Sequence, residues 1–337
     1  MPKKRNILIV GGAGYIGTVL TGHFLGAGYR VRCLDQLLFN NQTVVLPFIT
    51  NPDYEFIKGD MTDSDTVAGS LDGVTDVVML AGLVGDPITK KYPDESDAIN
   101  DKGYEILITG LNGHGLDRVI FVSTCSNYGL IENDELADEN FELNPLSLYA
   151  KSKVRIEQNL LGLKGDIDYS PTVLRFATAF GLSPRMRFDL TISEFTRLLY
   201  LGEDLLVYDA NTWRPYCHVR DFANVIDKVF NAPVDDVAFE VFNAGGDANN
   251  FTKQMIVDAV LAQVPTGKVR YKEHGVDPRN YRVDFGKIRE RLDFTPQYTV
   301  EDGIVELVSA MQQGLFHNID TPDSFFGNHN IDYSLVK

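Results

Sequence analysis

Residues Val10–Gly17 read VGGAGYIG and stand between an apolar run and a segment with helical spacing, Tyr15–Ala27. A GxxGxxG pattern between a strand and a helix is typical of a loop that holds a pyrophosphate. Gly11 permits the tight turn, Gly14 lets the backbone approach the phosphates, and Gly17 allows the helix to pack closely on the strand. The N–H groups at the start of the helix would face the phosphates. This stretch therefore predicts a dinucleotide-binding turn.

Short apolar runs alternate with helical segments through the first half of the chain. Strands are predicted at Asn6–Val10, Val31–Leu34, Tyr54–Ile57, Val77–Leu80, Val119–Val122 and Thr172–Leu174. Helices are predicted at Tyr15–Ala27, Ser96–Gly110 and Leu148–Leu163. This alternation is typical of a parallel sheet covered on both faces, with right-handed connections. The expected fold class is α/β, a Rossmann-like doubly wound parallel sheet with a smaller, discontinuous C-terminal substrate lobe.

The alternation of predicted strands and helices becomes less regular beyond about residue 180, which suggests that the chain has three parts. Residues 1–180 are predicted to form the dinucleotide-binding Rossmann domain. Residues 181–315 would be mainly a substrate-binding lobe, with some segments returning to the core sheet. Its helices are predicted at Asp189–Leu201, Asp221–Phe230, Thr252–Val264 and Val300–Gln313. Residues 316–337, rich in Asn, Asp and aromatic side chains, are expected to pack as an irregular C-terminal arm.

The composition of the 337 residues, 44% hydrophobic and 23% charged, is that of a globular protein. The net charge of −16 disfavours nucleic acid and anionic membranes as partners, because both are bound by basic surfaces. The sequence predicts no transmembrane segment and no secretory signal. Cys33, Cys125 and Cys217 form no CxxC pair, so we expect no metal site, no disulfide framework and a cytoplasmic location.

Acidic residues follow two of the predicted strands. Asp35 ends the second strand, where a carboxylate can accept hydrogen bonds from a ribose 2′-hydroxyl and would repel a 2′-phosphate. The expected cofactor is therefore NAD rather than NADP. Asp60 follows the third strand and is expected to contact the adenine amino group, with Met61 covering the ring.

Tyr149 and Lys153 are four residues apart on a predicted helix, so they share one face. An ammonium near a phenol favours the phenolate and lowers the pKa of the tyrosine from its usual value of about 10. Such a tyrosine can take a proton from a substrate hydroxyl while nicotinamide accepts a hydride. Thr124, after the fifth predicted strand, would share that proton because strand ends face the ligand crevice.

Five motifs together resemble the extended short-chain dehydrogenase/reductases, and within them the nucleotide-sugar epimerase/dehydratase branch. They are GGAGYIG, STCSNYG, YAKSK, Asn100 within AINDKG, and Arg214 within WRPYCHVRD. The resemblance implies NAD as cofactor, a nucleotide-diphosphate sugar as substrate, and Thr124, Tyr149 and Lys153 as the catalytic residues. It implies a homodimer through the helices near Ser96–Gly110 and Leu148–Leu163. The expected cofactor-binding residues are Gly11, Gly14, Tyr15, Ile16, Gly17, Asp35, Asp60, Met61, Ala81, Asn100 and Lys153.

Arginines are expected to bind the substrate diphosphate, because guanidinium groups match phosphate oxygens. By the resemblance, Arg214 and Arg279 hold the diphosphate. Thr178 stands where many relatives have Asn, which indicates an unusual sugar. The further candidates for substrate binding are Arg185, Arg187, Cys125 and Ser126, although a packing role is favoured for Cys125.

The reaction expected by resemblance begins with oxidation of the sugar at C4. Cys125 and Ser126 stand where sugar 4,6-dehydratases carry acids, and neither is a good acid at neutral pH, so a standard dehydratase is disfavoured. A 4-epimerase and a C4 dehydrogenase/ketoreductase remain nearly equal. The alternatives are a 4,6-dehydratase, a non-catalytic NAD(H)-binding regulator, and an NADP-dependent reductase of a small carbonyl compound.

Overall fold

The computed structural model describes residues 4–131, 135–275, 277–316 and 325–333. Its strands, in chain order, are β1 Asn6–Val10, β2 Arg30–Asp35, β3 Tyr54–Lys58, β4 Asp76–Met79, β5 Arg118–Thr124, β6 Leu136–Ala137, β7 Pro171–Phe176, β8 Thr178–Phe180, β9 Asp204–Tyr208, β10 Trp213–His218, β11 Glu240–Ala244, β12 Asn250–Thr252, β13 Lys268–Lys272 and β14 Arg282–Val283.

Its α-helices are α1 Tyr15–Gly26, α2 Ser64–Ser70, α3 Asp86–Lys91, α4 Pro93–Ser96, α5 Gly103–Leu111, α6 Leu148–Gly162, α7 Thr191–Tyr200, α8 Val219–Asn231, α9 Val234–Val237, α10 Lys253–Gln263, α11 Gly286–Leu292 and α12 Val300–Gln312. Short 3₁₀ turns occupy Gln42–Val45, Cys125–Tyr128 and Asp247–Asn249. None of the helices in the described ranges is both long and apolar enough to span a bilayer.

In the described part of the chain, seven strands form the central sheet, in the order β11-β7-β5-β4-β1-β2-β3. All neighbouring pairs are parallel. The six predicted strands are confirmed, and the fold is the predicted Rossmann-like doubly wound sheet. In the sheet, β2 lies on one side of β1 and β4 lies on the other side. The carboxyl ends of β1 and β4 therefore border the crevice where such sheets bind ligands.

Helices cover both faces of this sheet because its strands are apolar on both sides. On one face, Phe24 of α1 and Phe230 of α8 are fully buried with Ile7 and Ile9. On the other face, Leu107 of α5 and Leu160 of α6 pack against alternate residues of the same strands. The Ser147 side chain caps α6 by accepting a hydrogen bond from the Ala150 N–H at 3.1 Å. This cap fixes the start of the helix that carries Tyr149.

The predicted helix Ser96–Gly110 is confirmed, with one irregularity. A π-helical turn spans Asp97–Lys102, between α4 and the start of α5 at Gly103. Hydrogen bonds to the fifth following residue widen such a turn. The turn contains Asn100, whose side chain bonds to the backbone of Leu83. The irregular turn therefore carries a tertiary contact to the loop after β4.

The second half of the chain builds most of a lobe over the carboxyl edge of the sheet. Its four predicted helices are confirmed as α7, α8, α10 and α12, within two residues at each end. Strands β8, β10 and β12 form a three-stranded sheet, and β9 pairs with β13. Strand β11 instead joins the central sheet beside β7. The residues between 181 and 315 thus contribute to both the lobe and the main sheet.

The described part of the C-terminal arm, Phe325–Tyr333, contains neither helix nor strand. It runs across the mouth of the crevice. Its Phe326 carbonyl accepts a hydrogen bond from the Phe188 N–H at 2.8 Å. At its far end the Tyr333 hydroxyl donates to the Asp60 carboxylate at 2.9 Å. The rest of the predicted arm after residue 316 lies outside the described residues.

Candidate active site

The glycine turn after β1 has the geometry of a phosphate cradle. Gly11 has φ +90°, and a Cβ added there would lie 2.7 Å from the Ala81 nitrogen. A Cβ on Gly17 would lie 2.6 Å from the Cα of Gly12. Only glycine fits at these two positions. Helix α1 begins after Gly14, which has no side chain to satisfy the first N–H groups of the helix. These groups face the cavity and suit a pyrophosphate.

Asp35 and Asp60 lie where the sequence predicted them, at the ends of β2 and β3 on the cavity wall. The Asp35 carboxylate accepts hydrogen bonds from the Ala13 N–H at 3.0 Å and the Leu37 N–H at 2.8 Å. Burial raises the pKa of Asp35, and these two N–H groups oppose that rise. Met61 is buried beside them. After their predicted role, we call the part of the cavity lined by Asp35, Asp60 and the glycine turn the cofactor end.

Asn100 acts through the backbone and does not line the cavity. Its Oδ1 accepts from the Leu83 N–H at 2.8 Å, and its Nδ2 donates to the Leu83 carbonyl at 2.9 Å. The Ser152 hydroxyl donates to the Asn100 carbonyl at 3.0 Å, which ties this turn to α6. The predicted contact of Asn100 with the cofactor is therefore corrected to a positioning role for the loop after β4, whose Ala81 does line the cavity.

Tyr149, Lys153 and Thr124 converge on the middle of the cavity. Tyr149 is half-buried on the first turn of α6. The Lys153 ammonium donates to the Val122 carbonyl at 3.0 Å and lies 5.8 Å from the centre of the Tyr149 ring. The Thr124 hydroxyl donates to the Ser126 hydroxyl at 3.1 Å. The arrangement brings a phenol, an ammonium and a hydroxyl together at the carboxyl end of β5.

Burial and neighbouring charges both act on Tyr149. Burial raises the pKa of Tyr149, Arg187 opposes that rise, and Asp86 adds to it. Burial also lowers the pKa of Lys153 to about 7, against the opposing charge of Glu157. The predicted lowering of the Tyr149 pKa by Lys153 stays a prediction, and Arg187 is a cation that opposes the effect of burial on the phenol.

Cys125 and Ser126 at the end of β5, both predicted substrate contacts, have different surroundings in the structure. The Cys125 side chain is fully buried, and its thiol donates to the Arg175 carbonyl at 3.0 Å. It does not line the cavity, so its predicted substrate contact is corrected to packing. Ser126 does line the cavity, and so does Thr178 at the start of β8. The hydrophobic environment under β5 explains why Cys125 turns inward.

Arg214 and Arg279 lie side by side although they are 65 residues apart. Both bind Asp277: Nη2 of Arg214 lies 3.1 Å from its Oδ2, and Nε of Arg279 lies 2.8 Å from its Oδ1. Burial by itself raises the pKa of Asp277, but Arg279 and Arg214 outweigh it and hold the pKa well below its usual range. After the predicted role of the two arginines, we call the part of the cavity lined by these residues and Asp86 the substrate end. A carboxylate between two guanidiniums keeps both side chains ordered.

Arg187 and Arg185 lie on one loop but contact different residues. Nε of Arg187 donates to Asp189 at 3.0 Å, close to Tyr149. Arg185 stacks over Phe39, with its guanidinium 4.5 Å from the ring centre, and burial lowers its pKa to about 9. Arg185 lines the cavity, and its predicted contact with the substrate diphosphate stays a prediction.

These groups line one continuous cavity of about 420 Å³. Several polar residues of this cavity were not predicted as site residues. They are Gln36, Asp86, Asp189, Lys253, Asp277, Tyr281 and Asn328. Within the described residues, no group of His, Cys, Asp or Glu is arranged to hold a metal ion.

Comparison with known proteins identifies the family. Residues 7–245 match the NAD dependent epimerase/dehydratase family, so the chain belongs to that family. It is 28% identical over 338 residues to a dTDP-glucose 4,6-dehydratase of Streptomyces niveus, covering 96% of this chain and 98% of the relative. It is 26% identical over 278 residues to a UDP-glucose 4-epimerase of Bacillus subtilis, covering 74% and 80%.

Solved structures show the same fold. A Streptomyces venezuelae dTDP-glucose 4,6-dehydratase with NAD bound is 25% identical, with a TM-score of 0.82 over 91% of this chain and 97% of that one. A Bacillus cereus UDP-glucuronic acid 4-epimerase with NAD matches with a TM-score of 0.83 at 21% identity, over 91% and 99%. The protein is therefore an NAD-dependent enzyme, and the glycine cradle with its free helix N-terminus fits that cofactor.

Proposed function

We propose that this enzyme oxidises the C4 hydroxyl of a nucleotide-diphosphate sugar to a ketone and returns the hydride to the opposite face, as a sugar 4-epimerase does. The observation that supports this best is the convergence of Tyr149, Thr124 and Lys153 between the cofactor end and the arginines of the substrate end. The glycine cradle would hold NAD, which would supply the hydride acceptor and donor. Tyr149 accepts the proton of the hydroxyl at its phenol oxygen, with Thr124 within reach to share it.

The substrate end supports a diphosphate. Arg214 and Arg279 are held together by Asp277, and Lys253 lines the same wall. Paired guanidiniums bind phosphate oxygens with good geometry. Arg214, Arg279 and Lys253 bring three positive charges against the two negative charges of Asp277 and Asp86, so this wall keeps a net positive charge for the substrate. A small carbonyl compound without phosphates would leave these groups unused.

The arm Phe325–Tyr333 favours internal return of the hydride over release of a reduced cofactor. Asn328 accepts a hydrogen bond from Arg185 at 2.8 Å, and Tyr333 bonds to Asp60, so the arm borders the cofactor end. A C4 dehydrogenase must exchange its cofactor in each cycle, whereas an epimerase keeps it. The lack of acids at positions 125 and 126 disfavours a 4,6-dehydratase.

The test is the fate of a deuterium placed at C4 of UDP- and dTDP-hexoses. Retention of the label with inversion at C4 supports the epimerase. Accumulation of NADH absorbance with loss of the label identifies the dehydrogenase, and loss of one water in the mass spectrum identifies the dehydratase. No turnover of any nucleotide sugar, with intact NAD binding, contradicts the proposal and favours the regulator.

We further propose a homodimer formed through α5 and α6, and a cytoplasmic location. Leu148 on α6 is 47% exposed and Leu146 just before this helix is 40% exposed, and exposed apolar side chains favour association. The three cysteines are all unpaired, which suits a reducing compartment. Light scattering tests the first proposal, since a monomeric mass at micromolar concentration contradicts it.

A further inference from the structure

The loop after β4 carries a carboxylate that the proposed reaction has not yet used. Gly85 has φ +114°, a conformation that favours glycine, and the chain then enters α3 at Asp86 with Pro87 in its first turn. All three residues line the cavity. The loop itself is fixed from behind by the two hydrogen bonds between Asn100 and Leu83. Asp86 is therefore presented to the cavity by a rigid support.

The two oxygens of Asp86 have different surroundings. Oδ2 lies 3.3 Å from Nη2 of Arg279. Oδ1 is buried and has no hydrogen-bond partner among the residues that the structure describes. A buried carboxylate oxygen without a donor is costly, and such atoms in native proteins call for an explanation. A ligand hydroxyl is the group that would satisfy it.

The groups around Asp86 place it beside the reacting centre. Its charge acts directly on Tyr149 of α6. Arg187 lies across the loop, with Nη2 3.9 Å from the position that a Cβ on Gly85 would take. The charged and titratable groups on this wall are Tyr149, Arg187, Asp189, Asp277, Arg279 and Tyr281. Both carboxylate oxygens of Asp189 and of Asp277 bind arginines, whereas Oδ1 of Asp86 has no partner among the described residues.

We propose that Oδ1 of Asp86 accepts a hydrogen bond from a hydroxyl of the sugar ring, which makes Asp86 a substrate-contacting residue that selects hydroxyl-bearing sugars over sugars with a carboxylate at that position. The proposal rests on the proposed function, because it requires a sugar beside Tyr149. A carboxylate cannot accept from another carboxylate at neutral pH, and two anions at hydrogen-bond distance repel. A hydroxyl donor also draws charge from Asp86, which eases ionisation of the nearby phenol.

The experiment uses the NAD-loaded enzyme and the variants Asp86→Asn and Asp86→Ala. Calorimetry compares the binding of UDP and dTDP hexoses with that of bare UDP and dTDP. We expect Asp86→Ala to lose about 10- to 100-fold in affinity for the nucleotide sugar, and Asp86→Asn less, because its amide oxygen still accepts. Binding of the bare nucleotides should change little. Asp94→Asn, on an exposed residue of α4, is the matched control.

Deoxy sugars at C2, C3 and C6 identify the hydroxyl. The deoxy sugar that lacks this hydroxyl should bind to the wild type more weakly than the parent sugar does. It should bind to the wild type and to Asp86→Ala with equal affinity. A second readout is the pH profile of kcat/KM, whose ascending limb should move to lower pH in Asp86→Asn because a negative charge beside Tyr149 is removed. A merely structural role for Asp86 would not move this limb.

Three results overturn the proposal. One is unchanged nucleotide-sugar affinity in Asp86→Ala. Another is an equal loss for bare nucleotides, which would assign the effect to Arg279. The third is an equal penalty for every deoxy sugar in both proteins. The proposed function fails separately, if the wild type binds nucleotide sugars but converts none of them. If the wild type binds no nucleotide sugar at all, both proposals fall.

Discussion

The cofactor end and the substrate end of this cavity consist of different chemical groups. The cofactor end consists largely of backbone: Gly11, Gly17 and the first N–H groups of α1 leave room and donors for a pyrophosphate. The substrate end consists of charged side chains, in which Asp277 holds Arg214 and Arg279 in place. A backbone cradle tolerates no added atom, whereas a side-chain cluster can be retuned one residue at a time. The two ends should therefore respond to mutation in different ways.

The junction between the two ends should show the largest effect. Tyr149→Phe removes the proton acceptor while it keeps the ring, so we expect kcat to fall about 10²- to 10⁴-fold. The affinity for NAD and the melting temperature should stay close to those of the wild type. Steady-state kinetics and NAD titration measure both quantities. Retained turnover would show that Tyr149 is not the base.

Removing a cation from the substrate end should raise KM and leave the cofactor end intact. Arg279→Ala leaves Asp277 and Asp86 without one of their partners, and we expect kcat/KM for the nucleotide sugar to fall about 10- to 100-fold. The control is Arg270→Ala, which removes an exposed arginine whose Nη2 lies 3.2 Å from Oδ2 of Asp204. An equal fall in NAD affinity in Arg279→Ala would contradict the prediction that the two ends respond separately.

Adding one methyl group to the cradle should weaken the cofactor end alone. Gly11→Ala places a Cβ 2.7 Å from the Ala81 nitrogen and imposes a positive φ on alanine, at a cost of about 1 to 3 kcal/mol in unfolding free energy. We expect weaker NAD binding as well. Gly28→Ala is the matched control, because Gly28 also has positive φ, +84°, but a Cβ there meets nothing within 4 Å. It should lose stability without losing NAD affinity.

The smallest effect concerns pH. Burial holds the pKa of Lys153 at about 7, below that of an unfolded lysine. From about pH 7 to 10 the unfolded chain therefore binds more protons at this site, so the folded state gains stability as pH rises. Lys153→Met lacks this dependence.

Urea unfolding of both proteins across that range measures the difference. We expect the variant to gain most relative to the wild type below about pH 7, and the gain to fade as the pH rises. The lost hydrogen bond to Val122 adds an offset that does not depend on pH. A difference that stays constant from acid to alkaline pH would contradict the buried, partly neutral lysine.

The residues assigned to the cofactor end follow from local sequence patterns, whereas the charged pairs of the substrate end do not. Local patterns carry the cradle, since Gly11, Gly14 and Gly17 are neighbours along the chain, and Asp35 simply follows its strand. The substrate end joins Asp86 to Arg279 and Arg214 to Asp277, residues far apart in sequence. Periodicity contains no information about such pairs, so the arginines were predicted by resemblance and their carboxylate partners were not assigned.

The sequence by itself determined the parallel sheet, the helices on its faces and the glycine turn, because each depends on hydrophobic periodicity or on the steric needs of a short segment. It also placed Tyr149 and Lys153 on one helical face. Only the tertiary structure decided that Cys125 turns inward, that Arg185 stacks over Phe39 and that Asp86 pairs with Arg279. These three features depend on charge and burial, which arise only when folding brings together segments that are far apart in sequence. Electrostatic energies depend on the distances between those segments.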